Sequence, residues 1–243
     1  MPISLPTILL GSLVIFFAFY TRALFGFGGA LISIPLLVFF LPLKFAVPLE
    51  AIFEVVLSFL LIKGEVKNIN FKILIPIVIG SIVGTFLGTY VLKSFANAFL
   101  LKALGVVIIL FAFNLLQKSD TKSKILPNPI GFLAGITGGT LGGIFGTSGP
   151  PFVLYLAYQV KQKDILRGTL IGLFTFDFTF RLGFFLINGL VTYDILLMAL
   201  YLTPALVLGM LLGKRHFVVI SEEKYRILVF ILLLITGLLQ VIK

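Results

Sequence analysis

Two glycine-rich segments of this chain have a composition suited to binding a small anion. The first is Gly26-Phe27-Gly28-Gly29, and the second is Gly146-Thr147-Ser148-Gly149-Pro150-Pro151. Each segment interrupts a long apolar run. If a short helix starts after each break, its first N–H groups have no intrahelical partner and its N-terminus carries partial positive charge, which favours an anion. Glycine allows the positive φ that such a break needs, and proline suits a first helical turn.

We therefore predict a substrate site at the two breaks, with the hydroxyl groups of the second segment as additional donors. The expected ligands are Gly26, Gly28, Gly29, Gly146, Thr147, Ser148 and Gly149. The alternative role for these glycines is close packing of membrane helices through small residues. Packing is the role we predict for the four-residue-spaced glycines Gly80, Gly84, Gly88, Gly209 and Gly213. For the six Phe residues between positions 174 and 185, we predict packing and lipid contact.

We identify five charged residues as candidates for positions inside the membrane, where each is costly without a partner or water. They are Arg22, Glu50, Glu54, Asp177 and Arg181. A guanidinium group can bind two oxygens of a sulfite, sulfonate or carboxylate group at once, so we predict Arg22 and Arg181 as substrate ligands. Asp177 lies one helical turn before Arg181, and a purely structural ion pair is the alternative for these two residues. We expect Glu54 and Asp177 to handle charge, for example by carrying a coupling proton.

Ser148 also invites comparison with an enzyme. The segment around it matches the Gly-x-Ser-Gly pattern of rhomboid-type intramembrane serine proteases, which need a histidine base within hydrogen-bond reach of the serine. The single histidine, His216, follows Lys214 and Arg215 in a basic loop. The first glycine segment has Gly28 where the second has Ser148, as expected if the backbone matters more than the hydroxyl group. We therefore predict that the protein is not an enzyme.

The composition is that of an integral membrane protein. Of 243 residues, 60% are hydrophobic and 12% are charged, whereas a soluble domain is about a quarter charged. These values exclude a soluble enzyme, a disordered chain and a nucleic-acid-binding module. The chain has no Cys, one His and no P-loop pattern, so we predict neither a metal site nor a cofactor. The net charge of +10 comes mostly from Lys and Arg between apolar runs, where they set membrane topology.

Eight apolar runs cover most of the chain. They span residues 4–41, 45–62, 72–92, 99–117, 129–158, 168–187, 194–212 and 225–242. The first and fifth runs are too long for one crossing, because 38 residues of straight helix would measure about 57 Å against about 30 Å of hydrocarbon. The N-terminus lacks a positive stretch and a small-residue cleavage site, so we expect the first run to be retained as a span.

The two halves of the chain are similar to each other. The segment 24–29 aligns with 144–149 at an offset of 120 residues, and Glu54 aligns with Asp177 at an offset of 123. We predict a first transmembrane repeat over 1–117, a polar linker over 118–124 and a second repeat over 125–243. Interrupted hydrophobic segments at matching positions of two repeats indicate the binding site of a secondary transporter. In inverted repeats, we expect the two breaks to meet near the middle of the membrane.

The positive charges favour inverted repeats. If each long run is a re-entrant hairpin, four Lys or Arg residues lie on the side of the N-terminus and thirteen on the other side. If each long run crosses once, the numbers are seven and ten. Lys and Arg concentrate on the cytoplasmic side of membrane proteins, so we predict hairpins with both termini outside; a single kinked crossing stays the alternative. The predicted fold is all-α and polytopic, with two homologous repeats that each comprise a broken, re-entrant glycine-rich segment and three transmembrane helices.

The segments 26–37 and 142–152 resemble the paired glycine-rich motif of the sulfite exporter TauE/SafE family. The resemblance extends to the chain length, the duplication and the positions of the motifs. It implies a small membrane transporter of two similar halves, linked to export or uptake of sulfite, sulfonates and related organic anions.

We accordingly expect a secondary transporter that exports a small sulfur-containing or organic anion, such as sulfite or a sulfonate, across the cytoplasmic membrane. Its expected partners are this anion, the lipid bilayer and a coupling proton or ion, but not nucleic acid; the sequence leaves a homodimer open. The alternative from another class is a membrane scaffold or insertion factor that does not transport. A scaffold does not need charged residues beside broken helices, whereas a transporter does.

Overall fold

The regular secondary structure is all helical in the part of the chain that the computed structural model describes. That part comprises residues 4–25, 29–116, 126–160 and 162–215, with 230–231, 234–235, 237–239 and 241–242. Its helices are α1 (Leu5–Phe25), α2 (Gly29–Leu37), α3 (Leu43–Ile62), α4 (Phe71–Ser94), α5 (Asn97–Leu116), α6 (Asn128–Phe145), α7 (Gly149–Gln159), α8 (Lys163–Ile187) and α9 (Tyr193–Arg215), and a 3-10 turn (Val66–Asn68) precedes α4. The predicted all-α class is confirmed for these residues.

Five of the described helices are long and apolar enough to cross a membrane, namely α1, α3, α4, α8 and α9. Helix α4 illustrates how such a helix differs from one in a soluble protein. Its exposed face carries large apolar side chains such as Ile75, Ile79 and Val83, whereas its buried face carries small residues such as Gly80 and Ser81. Lipid tails can cover the large apolar face, and small residues let two helix backbones approach closely.

The helices form two compact units, each of which takes segments from both halves of the sequence. The first unit comprises residues 1–50, 95–118 and 191–243, and the second comprises residues 51–94 and 119–190. The second unit therefore contains α4 from the first half together with α6, α7 and α8 from the second half. The predicted boundaries of the repeats stay a prediction, and the linker 118–124 lies outside the described residues.

In the second unit, α4 and α6 pack backbone against backbone. A Cβ atom added to Gly84 would lie only 2.8 Å from the amide nitrogen of Thr140 on α6. A Cβ atom added to Gly139 of α6 would lie 2.9 Å from the amide nitrogen of Thr85. Real Cβ contacts are longer than this, so glycine is required on both sides. The predicted packing role of the α4 glycines is confirmed.

The first unit contains a similar close contact, between α1 and α9. A Cβ atom added to Gly213 of α9 would lie 2.8 Å from the Cβ atom of Ala23, and one added to Gly209 would overlap the carbonyl oxygen of Phe16. The predicted packing role of these two glycines is confirmed as well. In both units, small residues on a transmembrane helix thus bring a neighbouring backbone close.

Helix α7 runs back along α6. Near the start of α7, the ring of Phe152 lies where a Cβ atom on Gly138 would be. At the end of α7, Gln159 Nε2 donates a hydrogen bond of 2.6 Å to the carbonyl oxygen of Leu126, just before α6 begins. Residue numbers increase along α7 while the contacted residue numbers on α6 decrease, so the two helices are antiparallel. The second long apolar run is therefore two helices that fold against each other.

Candidate functional site

An ion pair on α8 forms the charged centre of the second unit. Arg181 Nη2 donates to Asp177 Oδ2 across one helical turn. The two side chains are only 1% and 0% exposed. Spacing of four residues places both groups on the same face of α8, and the two residues form the ion pair that the sequence left open as an alternative. The ligand role predicted for Arg181 stays a prediction. Burial of two charges in this way is stabilising only where further hydrogen bonds compensate for lost water.

Two serines from other segments supply such hydrogen bonds. The hydroxyl group of Ser148, just before α7, donates to Asp177 Oδ2 at 2.8 Å and accepts from Arg181 Nη2 at 2.9 Å. The hydroxyl group of Ser81 on α4 donates to Asp177 Oδ1 at 2.5 Å. Sequence reasoning did not predict Ser81 as a site residue. The sequence signal that could have indicated Ser81 is its position next to Gly80, on a face of α4 made of small residues.

Arg181 also holds the break between α6 and α7. Gly146 ends α6 in the left-handed conformation, with φ of 74°, and its N–H group donates to the carbonyl oxygen of Gly142 at 2.8 Å. The carbonyl oxygen of Gly146 accepts a hydrogen bond of 2.8 Å from Arg181 Nη1. Gly142 makes room for the same guanidinium group, since a Cβ atom there would lie 2.8 Å from Arg181 Cζ. Gly142 is a second site residue that was not predicted.

The start of α7 offers few but well-placed backbone donors. The first N–H groups of a helix have no partner within the helix, but Pro150 and Pro151 in the first turn of α7 carry no N–H group. The residues at this terminus that still carry a backbone N–H group without a partner inside the helix are Ser148 and Gly149. The Ser148 side chain does not cap the helix, because it is hydrogen-bonded to the ion pair instead. A ligand at this terminus would thus meet two amides, a hydroxyl group and a guanidinium group.

The space beside Gly149 is open. Among the described residues, a Cβ atom there would meet the Cζ atom of Phe174 at 3.9 Å and no other atom within 4 Å. The expected positive φ is wrong for this residue, because among the described glycines only Gly146 and Gly189 have one. A different constraint favours glycine here: a helical residue that precedes a proline is crowded by the proline ring, and glycine has no Cβ atom to clash with it.

Aromatic rings line α8 next to the ion pair. Arg181 Cζ lies 5.0 Å from the centre of the Phe178 ring, which favours a cation–π contact. Phe178 stacks on Phe174 with 5.4 Å between ring centres, and Phe152 of α7 lies 6.1 Å from Phe174. Phe174 and Phe178 are buried, which fits the predicted packing role. Phe176 and Phe180 are exposed, which fits the predicted lipid contact. The open space beside Gly149 therefore has an apolar wall.

The other predicted site residues divide between the two units. Arg22 and Gly29 are buried in the first unit, at the end of α1 and the start of α2. Glu54 is buried on α3 in the second unit. Gly26, Gly28 and His216 lie outside the described residues. The roles of these residues stay predictions, whereas Gly146, Ser148, Asp177 and Arg181 are joined in one hydrogen-bonded network, next to the buried Thr147 and to Gly149.

Residues 11–239 match the sulfite exporter TauE/SafE family. The chain belongs to this family. It is therefore a multi-pass membrane protein of a transporter family. It is similar to a probable sulfite/organosulfonate exporter TauE from Cupriavidus necator, with 28% identity over 155 residues that cover 63% of this chain. The matched region spans 60% of the length of that relative. No solved structure matches the chain.

In this TauE/SafE family member, the second glycine-rich segment has a distinct physical role at each position. Gly142 leaves space for Arg181, Gly146 adopts the left-handed conformation, and Gly149 precedes a proline within a helix. Ser148 contributes its side chain to the ion pair. The segment thus places two backbone amides next to a buried guanidinium group.

Proposed function

We propose that this protein is a secondary transporter that exports sulfite, an organosulfonate or a similar small anion across the cytoplasmic membrane, and that the anion binds at the α6–α7 break. One observation carries the proposal: the fully buried guanidinium group of Arg181 lies at the N-terminus of α7, in hydrogen-bond contact with Ser148. The proposed ligands in this half are Gly146, Thr147, Ser148, Gly149 and Arg181.

A sulfite or sulfonate group suits this arrangement because it presents three oxygens in a compact, negatively charged head. Arg181 supplies charge and guanidinium donors that now bind Asp177, Ser148 and Gly146. Ser148 supplies a hydroxyl group that now donates to Asp177, and the amides of Ser148 and Gly149 supply two further donors. The partial positive charge of a helix N-terminus adds attraction without adding a second formal charge. Such a site can bind an anion and still release it, as a transporter must.

The family and the relative support the same class of substrate. The Cupriavidus necator protein is a probable exporter of sulfite and organosulfonates, and we extend that substrate class to this chain. Phe174, at 3.9 Å from the position of a Cβ atom on Gly149, would contact the apolar tail of an organosulfonate.

We propose further that the repeats are inverted, with re-entrant hairpins and both termini outside the cell. The antiparallel arrangement of α6 and α7 supports a hairpin over a single kinked crossing for the second long run. Arg22, Gly26, Gly28 and Gly29 are the proposed substrate ligands of the first repeat, and Glu54 is proposed to handle charge in that repeat, as Asp177 does in the second.

The test is transport by purified protein in liposomes, across sulfite, methanesulfonate, taurine, thiosulfate and acetate. The variant is the double substitution Asp177→Asn with Arg181→Gln, which removes both charges so that neither is stranded. The matched control is Asp164→Asn with Arg167→Gln, the same changes at exposed positions near the start of α8. Correct insertion and a monodisperse gel-filtration peak are required of both proteins.

We expect wild type and the control to transport at least one sulfur-containing anion and the site variant to fall to the level of empty liposomes. Normal transport by a well-folded site variant would exclude Arg181 as a ligand. If wild type moves none of these anions in either direction, the transporter proposal fails, and a scaffold or insertion factor becomes the better explanation of the fold.

A further inference from the structure

We propose that Asp177 acts as an internal anion that competes with the transported anion for Arg181, and that one proton binds Asp177 whenever the transported anion takes its place. The proposal deepens the proposed function and rests on it, since it concerns the same site. Its consequence is that a proton moves together with each singly charged anion.

The first step of the reasoning is the number of hydrogens on Arg181 Nη2. This nitrogen carries two hydrogens, and its two acceptors are Asp177 Oδ2 and Ser148 Oγ. An anion that binds Nη2 at the end of α7 must therefore replace one of them. Asp177 is the acceptor that resembles the substrate, because it too offers negatively charged oxygens.

The second step concerns the hydroxyl group of Ser148, which has a single hydrogen. In the structure, Ser148 donates this hydrogen to Asp177 Oδ2. A hydroxyl hydrogen can rotate toward an incoming oxygen once the carboxylate no longer attracts it. Displacement of Asp177 thus frees two donors for the substrate at once, one from Arg181 and one from Ser148.

The third step is the charge of the buried site. Asp177 and Arg181 together are neutral, and both are fully buried. If a monoanion entered while Asp177 remained ionised, the site would hold one net negative charge away from water, which is unfavourable. If Asp177 binds a proton as the anion enters, the site is neutral again. The Ser81 hydroxyl, now 2.5 Å from Asp177 Oδ1, can still hydrogen-bond to the neutral carboxyl group.

Among the residues that the structure describes, the elements packed against α8 bring no further charged side chain into contact with Asp177. Helix α4 faces it with Ser81 and carries its charges, Lys72 and Lys93, at its two ends. Helices α6 and α7 contain no charged residue, and the titratable groups of α7 are Tyr155 and Tyr158. The 3-10 turn and its flank bring Glu65 and Lys67 to the start of α8, where Asp164 and Arg167 lie. Among the described residues of this unit, Glu54 of α3 is the other buried acid.

The test is the pH dependence of methanesulfonate binding to purified full-length protein, measured by isothermal titration calorimetry between pH 5 and 9. Methanesulfonate keeps one charge over this range, whereas sulfite itself titrates. We expect the affinity of wild type to fall about tenfold per pH unit on the alkaline side of its transition, as linkage to one proton requires. In Asp177→Asn, which keeps the shape and the oxygen facing Ser81, we expect the affinity to vary less than twofold over the range.

Two further variants keep the test decisive. Asp164→Asn removes an exposed acid from the same helix and should keep the wild-type slope. Ser81→Ala removes a hydrogen bond that favours the ionised carboxylate of Asp177. It should therefore move the transition in methanesulfonate affinity to higher pH and leave the slope unchanged. This variant keeps the proposal testable even if Asp177→Asn does not fold. A flat profile in wild type, or a wild-type slope in Asp177→Asn, would overturn the proton inference and leave the substrate site intact. No binding by any of these proteins would overturn the proposed site itself.

Discussion

Removing Arg181 alone should destabilise the protein much more than removing Arg181 together with Asp177. In Arg181→Gln, the Asp177 carboxylate stays 0% exposed and keeps only the hydroxyl donors of Ser81 and Ser148. Stranding one member of a buried ion pair costs about 3–5 kcal/mol, whereas removing both members can be nearly neutral. The carbonyl oxygen of Gly146 loses its donor in both variants, so this loss cancels when the two are compared.

The measurement is the free energy of unfolding in detergent micelles, by denaturant titration of wild type, both single variants and the double variant. We expect Asp177→Asn added to Arg181→Gln to restore about 3 kcal/mol of the stability lost. If the two variants are equally stable at neutral pH, the ion pair does not stabilise this unit and the reasoning from its burial is refuted.

Two other predictions concern the break and the topology. Gly149→Val should abolish anion flux, because it fills the open space beside Phe174 and crowds the following proline. Gly183→Val, at a position where a Cβ atom meets no described atom within 4 Å, should leave flux unchanged. Equal flux of the two variants in a transport assay would show that the space beside Gly149 is not used. Single cysteines placed in this Cys-free chain should be labelled by an impermeant thiol reagent from outside at position 44 and protected at position 163. Equal labelling at the two positions would exclude the hairpin arrangement, because single crossings place both positions on the same side; the reverse pattern would exclude termini outside the cell.

Local spacing in the sequence was sufficient for part of the site. The four-residue interval between Asp177 and Arg181 was enough to raise their ion pair as an alternative to separate roles, because one helix places both groups on the same face. The glycine spacing of α4 likewise predicted close packing, and the glycine run around Gly146 predicted the end of a helix. Each of these features depends on residues within one or two turns of each other.

Contacts between distant segments could not be predicted in this way. Ser81 and Asp177 are 96 residues apart and meet only because α4 packs beside α8. Gly142 looked like any other glycine of the motif until its distance to the Arg181 guanidinium group was known. The role of Gly149 was assigned to the wrong constraint, since its sequence neighbours fit both a left-handed turn and a helical residue before a proline.

The glycine contacts between α4 and α6 have a consequence for genetic screens. At Gly84 and Gly139, a methyl group would collide with the backbone of the opposite helix, which cannot move aside as a flexible side chain would. A search for alleles that lose transport should therefore recover these positions as often as Ser148 or Arg181, although they touch no anion. Protein abundance in the membrane would separate the two groups: alleles of the helix contact should lower it, and alleles of the binding residues should leave protein that is present but inactive.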